Sequence, residues 1–210
     1  MTRIFGLAAA IIITSTSVAM AHHPLGGMTP QTALHGFLSG IGHPLIGFDH
    51  LAFIVGVGLI AAFHRARLFM PVAFVVGTIA GTMLALAAVS LPLAEVVIIA
   101  SVMIAGAVVM RGKATDIRAA AALAAGAGLF HGWAYGAAVV GAEPTPIITY
   151  LVGFAVIQMA IAIGVTLFSV RVWKALDAGA MQPRLAGAVV AGAGLTYMVE
   201  IVEPLIFSAM

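Results

Sequence analysis

The chain has 210 residues, 63% of them hydrophobic and 8% charged, with a formal net charge of +2; soluble domains carry about 25% charged residues. Lys+Arg 9 and Asp+Glu 7 cannot wet the surface of such a chain, so apolar side chains must face lipid and a soluble fold is excluded. The small charge argues against a nucleic-acid partner. The lack of cysteine removes disulfides, thiolate nucleophiles, iron–sulfur clusters and soft thiolate metal ligands.

Residues 1–21 read as a cleavable signal peptide. Arg3 supplies the positive end, the apolar run from Gly6 to Ile13 is too short to span, and Ala19-Met20-Ala21 forms an A-x-A cleavage site. An uncleaved first membrane helix is the alternative, weakened by the break at Thr14-Ser15-Thr16-Ser17. Cleavage would leave His22 first, its α-amine and imidazole a potential chelate for a divalent metal. The mature domain is then 22–210.

Hydropathy divides that domain into six apolar stretches, near 46–64, 70–91, 93–110, 117–140, 145–170 and 185–208, each close to the roughly 20 residues that cross about 30 Å of hydrocarbon. The basic residues fall in alternate connections: Arg65 and Arg67; Arg111, Lys113 and Arg118; Arg171, Lys174 and Arg184. The positive-inside rule makes these connections cytoplasmic and puts both termini outside. The expected fold is therefore an all-α membrane protein, a six-transmembrane-helix bundle in the cytoplasmic (inner) membrane, with lipid as its solvent. Glycines such as Gly77 and Gly81 suit close helix packing.

Ionisable groups in a membrane are costly and tend to mark ion pathways, and here they gather on the outer side. His23, His35 and His43 precede the first span, Asp49 and His50 open it, Glu95 opens the third, and Glu143 follows the fourth. Counting from Ile117 at 1.5 Å per residue places His131 roughly 21 Å up the fourth span, while Glu200 and Glu203 stand roughly 22 and 27 Å above Leu185 in the sixth. These carboxylates share a helix face with Tyr197, and the expectation is that this face meets that of His131 and Tyr135. A bound cation would compensate carboxylates that cost roughly 2.5 kcal/mol or more each in lipid.

The densest constellation is His43-Pro44-Leu45-Ile46-Gly47-Phe48-Asp49-His50. Pro44 and Gly47 interrupt the helix, and irregular backbone at membrane depth is tolerated where it lines a wet cavity. Asp49 either binds metal or orients an imidazole. Imidazole and carboxylate without thiolate suit nickel, cobalt, zinc or copper better than magnesium or calcium. The expected ligands are His43, Asp49, His50, His131, Glu200 and Glu203, with His22 and Glu143 as further candidates. No prosthetic group is expected.

At these residues the chain resembles the HupE/UreJ family of small nickel and cobalt permeases, found with hydrogenase and urease systems and in some relatives linked to cobalamin. The family's first motif, His, five residues, then Asp-His, is met by His43, Asp49 and His50. Its second, Phe-His-Gly-x-Ala-x-Gly followed by Glu, is met by Phe130-His131-Gly132-Trp133-Ala134-Tyr135-Gly136, but Ala138 stands at the Glu position and the nearest acid is Glu143. Tyr135 occupies a place where many relatives have a second histidine, and Gln158 lies near another. Glu200 and Glu203 are expected to replace the missing ligands.

The resemblance implies a permease that moves nickel or cobalt inward, driven by membrane potential, with metalloenzyme or cobalamin maturation downstream; it leaves a homo-oligomer open. A chain of this kind is not an enzyme. Two other readings are an intramembrane zinc-dependent hydrolase and a non-transporting metal-binding subunit or sensor. Neither H-E-x-x-H nor G-x-S-x-G occurs. A nucleotide loop near 107–114 fails, with Ala107 and Ala114 where Gly and Ser or Thr belong.

Overall fold

A computed structural model describes residues 28–175 and 177–207. The expected signal peptide at 1–21 and His22 lie outside the described residues. Within them the chain forms α1 (Ala33–Ile46), α2 (Phe48–Ala61), α3 (Phe69–Leu86), α4 (Ala94–Met110), α5 (Ile117–Gly136) with a 3-10 turn at Ala137–Val139, α6 (Pro144–Arg171) and α7 (Met181–Phe207); no strand occurs among the described residues.

Local chemistry starts several of these helices. The Thr32 hydroxyl accepts the His35 amide at 3.1 Å before α1. The Asp116 carboxylate accepts the amides of Arg118 at 3.0 Å and Ala119 at 2.9 Å before α5. Each satisfies donors that a helix start leaves without an internal partner. Pro144 opens α6, where its missing N–H costs nothing.

The first membrane stretch differs from the expected single span at 46–64. It is the second arm of a pair, α1 and α2, bent by 80° at Gly47. Each arm has 14 residues, about 21 Å of helix. Pro44 lies inside α1 and has no N–H to continue the ladder; the chain leaves helical geometry at Gly47, with φ −76° and ψ 98°. Hydropathy hides α1 because Gly36, Ser39, Gly40 and His43 are small or polar, yet all four are buried.

By length and composition, Phe69–Leu86, Pro144–Arg171 and Met181–Phe207 can each cross a membrane, and the bent pair would make a fourth crossing. α4 is short at 17 residues. α5 has 20 residues, but His131, Trp133, Tyr135 and its glycines dilute its hydropathy.

Small residues pair the helices. On α3, a Cβ at Gly77 would strike the Ala125 carbonyl of α5 and one at Gly81 the Leu129 carbonyl. From the other side, a Cβ at Gly132 would strike the Thr78 carbonyl. Gly36 and Gly40 seat α1 against Pro146 and Tyr150 of α6, and Gly106 seats α4 against Gly187 and Ala191 of α7. Backbones approach this closely because interfaces in lipid gain their energy from packing contact. These three pairs surround α2, whose Phe53, Ile54, Val57 and Leu59 join a core with Phe74, Val102, Ala124, Ala162 and Val190.

The outer surface is apolar: Val76, Ile104, Leu123, Ile148, Val156 and Val189 are all exposed. The expected meeting of the His131 and Glu200 faces is not how the helices pair. α7 packs on α4 and α2, and α5 packs chiefly on α3, because the glycines that permit close approach lie on those faces.

Candidate metal centre

The bend at Gly47 folds His43, near the end of α1, back towards His50 in the first turn of α2. Their ring centroids are 5.9 Å apart. Both are buried, and His131 of α5 is wholly so. His131 reaches α2 because Gly132 lets α5 lie against the backbone of α3. The Nδ1 atoms of His50 and His131 then stand 2.7 Å apart, with ring centroids at 4.9 Å.

Aromatic rings seal the cluster. Phe53 stacks on His131 at 4.7 Å and 29°, and Phe74 meets its edge at 5.9 Å. The ring of Tyr135 lies 5.0 Å from His43 and 4.5 Å from His50. The Tyr150 hydroxyl donates to the Tyr135 carbonyl at 2.9 Å and lies 3.1 Å from His43 Nδ1. The Ser101 hydroxyl donates to the Ile98 carbonyl at 2.6 Å and lies 3.0 Å from His131 Nε2.

Asp49 is mostly buried beside these rings. Its Oδ2 is 4.0 Å from His50 Nδ1, beyond hydrogen-bond distance. Its Oδ1 is buried with no hydrogen-bond partner among the described residues. A buried carboxylate oxygen without a donor is expensive unless a cation compensates it.

The other expected ligands are placed differently. Glu143 is exposed before α6, and Glu200 and Glu203 are exposed on α7. Among the described residues no three His, Asp or Glu stand at distances that would hold one metal ion together. Two nitrogens bound to one ion at about 2.0–2.1 Å each sit roughly 3 Å apart, so a metal would have to part the His50–His131 contact.

Further buried polar groups lie on α3 and α6. Thr78, Thr82, Gln158, Thr166 and Ser169 are all buried. The Thr78 hydroxyl contacts Gln158 Oε1 at 3.1 Å, and Thr166 donates to the Gly58 carbonyl at 2.9 Å. Gln158 Nε2 and Ser169 Oγ have no hydrogen-bond partner among the described residues. Sequence reasoning missed Ser101 and Tyr150 as neighbours of the histidines. Ser101 could have been noticed as the lone hydroxyl inside the apolar α4.

A protein-family model described as HupE / UreJ protein matches residues 9–197, a range that holds His43, Asp49, His50 and His131 and stops short of Glu200. Protein HupE of Rhizobium leguminosarum bv. viciae is 30% identical over 190 residues, covering 89% of this chain and 97% of that protein. No solved structure matches.

Proposed function

Since this chain belongs to the HupE/UreJ family, we propose that it is a permease that captures a divalent transition metal, nickel or cobalt, on the outer side of a bacterial cytoplasmic membrane and passes it inward. The observation that carries this reading is the buried, undonated Oδ1 of Asp49 next to three buried histidines on α1, α2 and α5. A divalent ion among them satisfies the carboxylate and draws on neutral imidazole, a ligand pair without thiolate that suits nickel and cobalt.

His43, Asp49, His50 and His131 are the proposed ligands. Glu143, Glu200 and Glu203 form an outer carboxylate fringe that attracts cations, and the amine and imidazole of His22 join it once the leader is removed. Six crossings with both termini outside are the proposed topology. The alternating basic connections support it, and α5, although diluted in hydropathy, buries His131 and Tyr135 inside the bundle and turns Leu123 outward.

Inward movement needs no nucleotide. A divalent ion gains about 2.3 kcal/mol per charge per 100 mV, so roughly 150 mV supplies about 7 kcal/mol, a gradient of order 10⁵. Thr78, Gln158, Thr166 and Ser169 mark the inward path, which must be wetted transiently because these groups now bond to neighbouring backbone or are packed away.

The test is uptake of radiolabelled Ni²⁺ and Co²⁺, each with the other as competitor, into proteoliposomes held inside-negative. Accumulation of one metal identifies a permease and its cargo. Binding without accumulation overturns the reading in favour of a metal-binding subunit or sensor, and metal-dependent turnover of a lipid or peptide in place of uptake makes it a hydrolase.

A further inference from the structure

Two hydroxyl groups next to the histidines have already spent their protons. The Ser101 hydroxyl donates to the Ile98 carbonyl at 2.6 Å, and the Tyr150 hydroxyl donates to the Tyr135 carbonyl at 2.9 Å. A hydroxyl has one hydrogen. Towards the imidazoles, each oxygen can therefore only accept.

The consequence for the rings is definite. His131 Nε2, 3.0 Å from Ser101 Oγ, must carry the hydrogen that this contact needs. A neutral imidazole has one N–H, so the lone pair of His131 is on Nδ1, the atom that faces His50 Nδ1 at 2.7 Å. By the same logic His43 donates from Nδ1 to Tyr150, 3.1 Å away, and its lone pair is on Nε2. The Ser101 contact also fixes a direction for the His50–His131 pair: His50 Nδ1 donates to His131 Nδ1.

We propose that Ser101 and Tyr150 are positioning residues that hold His131 and His43 in opposite tautomers, so that a metal ion is bound by His131 through Nδ1 and by His43 through Nε2. This inference rests on the metal-centre reading above. Fixing the tautomer of a ligating histidine through its other nitrogen is a general means of tuning metal affinity, commonly by 10–100-fold. Here both anchors are hydroxyls whose direction is set by main-chain carbonyls, so neither can reverse without giving up a hydrogen bond inside the bundle.

The order of events on capture follows. The His131 lone pair is engaged by the His50 N–H, and an incoming ion must displace that donor before His131 can bind. Ser101 keeps the lone pair from rotating its role to Nε2 while the donor leaves. A merely structural Ser101 would have no such effect on which ring nitrogen is protonated.

The test is magic-angle-spinning NMR of ¹⁵N-histidine-labelled protein in lipid bilayers, without metal and then with Zn²⁺ as a diamagnetic probe. The His131 and His43 signals are assigned by their loss in His131→Gln and His43→Gln. The expected result is His131 protonated on Nε2 and His43 on Nδ1, with Zn²⁺ shifting Nδ1 of His131 and Nε2 of His43. Ser101→Ala should give a mixture of His131 tautomers and weaken Zn²⁺ binding at least 10-fold, with Ser101→Thr restoring both. Tyr150→Phe should release His43 to the other tautomer.

The wild-type spectrum alone decides the tautomers if a variant fails to fold. Finding His131 protonated on Nδ1, or the same tautomer in wild type and Ser101→Ala, overturns the proposal. If those results came with Zn²⁺ binding abolished by His50→Ala, the metal centre would stand and only its positioning residues would fall. If wild type bound no Zn²⁺, Ni²⁺ or Co²⁺, the centre itself would be wrong, and the ligand-atom assignment with it.

Discussion

His50 and His131 are 81 positions apart in sequence, yet their Nδ1 atoms stand 2.7 Å from one another. The contact exists because α2 begins at a glycine and α5 lies on α3 through another. It joins the two motifs that the sequence carries in separate helices, and the buried Asp49 lies at its side.

Asp49 should behave as a cation's partner. Asp49→Asn removes a buried charge without a donor, so the metal-free variant should be as stable as wild type or more so. Added Ni²⁺ or Co²⁺ should raise the melting temperature of wild type, with about 2.7 kcal/mol of stabilisation at 100 times Kd, and leave that of Asp49→Asn unchanged. Thermal melts in detergent, with and without metal, check this.

Gly47 should be required for its lack of a side chain as well as for the bend. A Cβ there would stand 2.6 Å from Cδ2 of His50, closer than van der Waals contact allows, while its φ of −76° is open to any residue. Gly47→Ala should therefore fold, as circular dichroism would show, but displace the His50 ring and weaken metal binding by about 10-fold, the lower end for a disturbed metal-ligand environment.

The glycine contacts divide into close and open ones, and substitutions should divide likewise. A Cβ at Gly132 would strike the backbone of Thr78, whereas Gly126 and Gly192 have nothing within 4 Å. Gly132→Ala should cost about 1–3 kcal/mol through overpacking. Gly126→Ala and Gly192→Ala should leave stability unchanged or slightly raised, since alanine is the better helix former by about 1 kcal/mol. Melting temperatures of the three variants decide it.

Gln158 should matter to passage more than to capture. It is buried with Nε2 undonated, and its Oε1 contacts the Thr78 hydroxyl. Gln158→Leu should leave equilibrium metal binding within about twofold of wild type and reduce the initial rate of uptake at least 10-fold. Equal loss of both would place Gln158 in the capture site.

Much of this was legible in the sequence. Composition alone required lipid-facing helices, and His43, Asp49 and His50 stood out because ionisable residues at a helix break in apolar sequence are costly. Partner choice was not legible. Glu200 and His131 have similar calculated heights, but height along a helix says nothing about azimuth, and the glycines of α4 and α7 pair those helices with each other. α1 was hidden because hydropathy assumes a lipid-facing helix, whereas Gly36, Ser39, Gly40 and His43 are buried against protein. Ser101 and Tyr150 were unreadable as partners because a single hydroxyl gains its role only from the ring that folding brings to it.

The most direct test of the account is paired measurement of metal binding and potential-driven uptake for wild type and His131→Ala in inside-negative proteoliposomes. The account predicts that wild type accumulates Ni²⁺ or Co²⁺ and that His131→Ala, though folded, loses both binding and accumulation. Undiminished uptake by His131→Ala would contradict it, since metal would then cross without the His50–His131 pair.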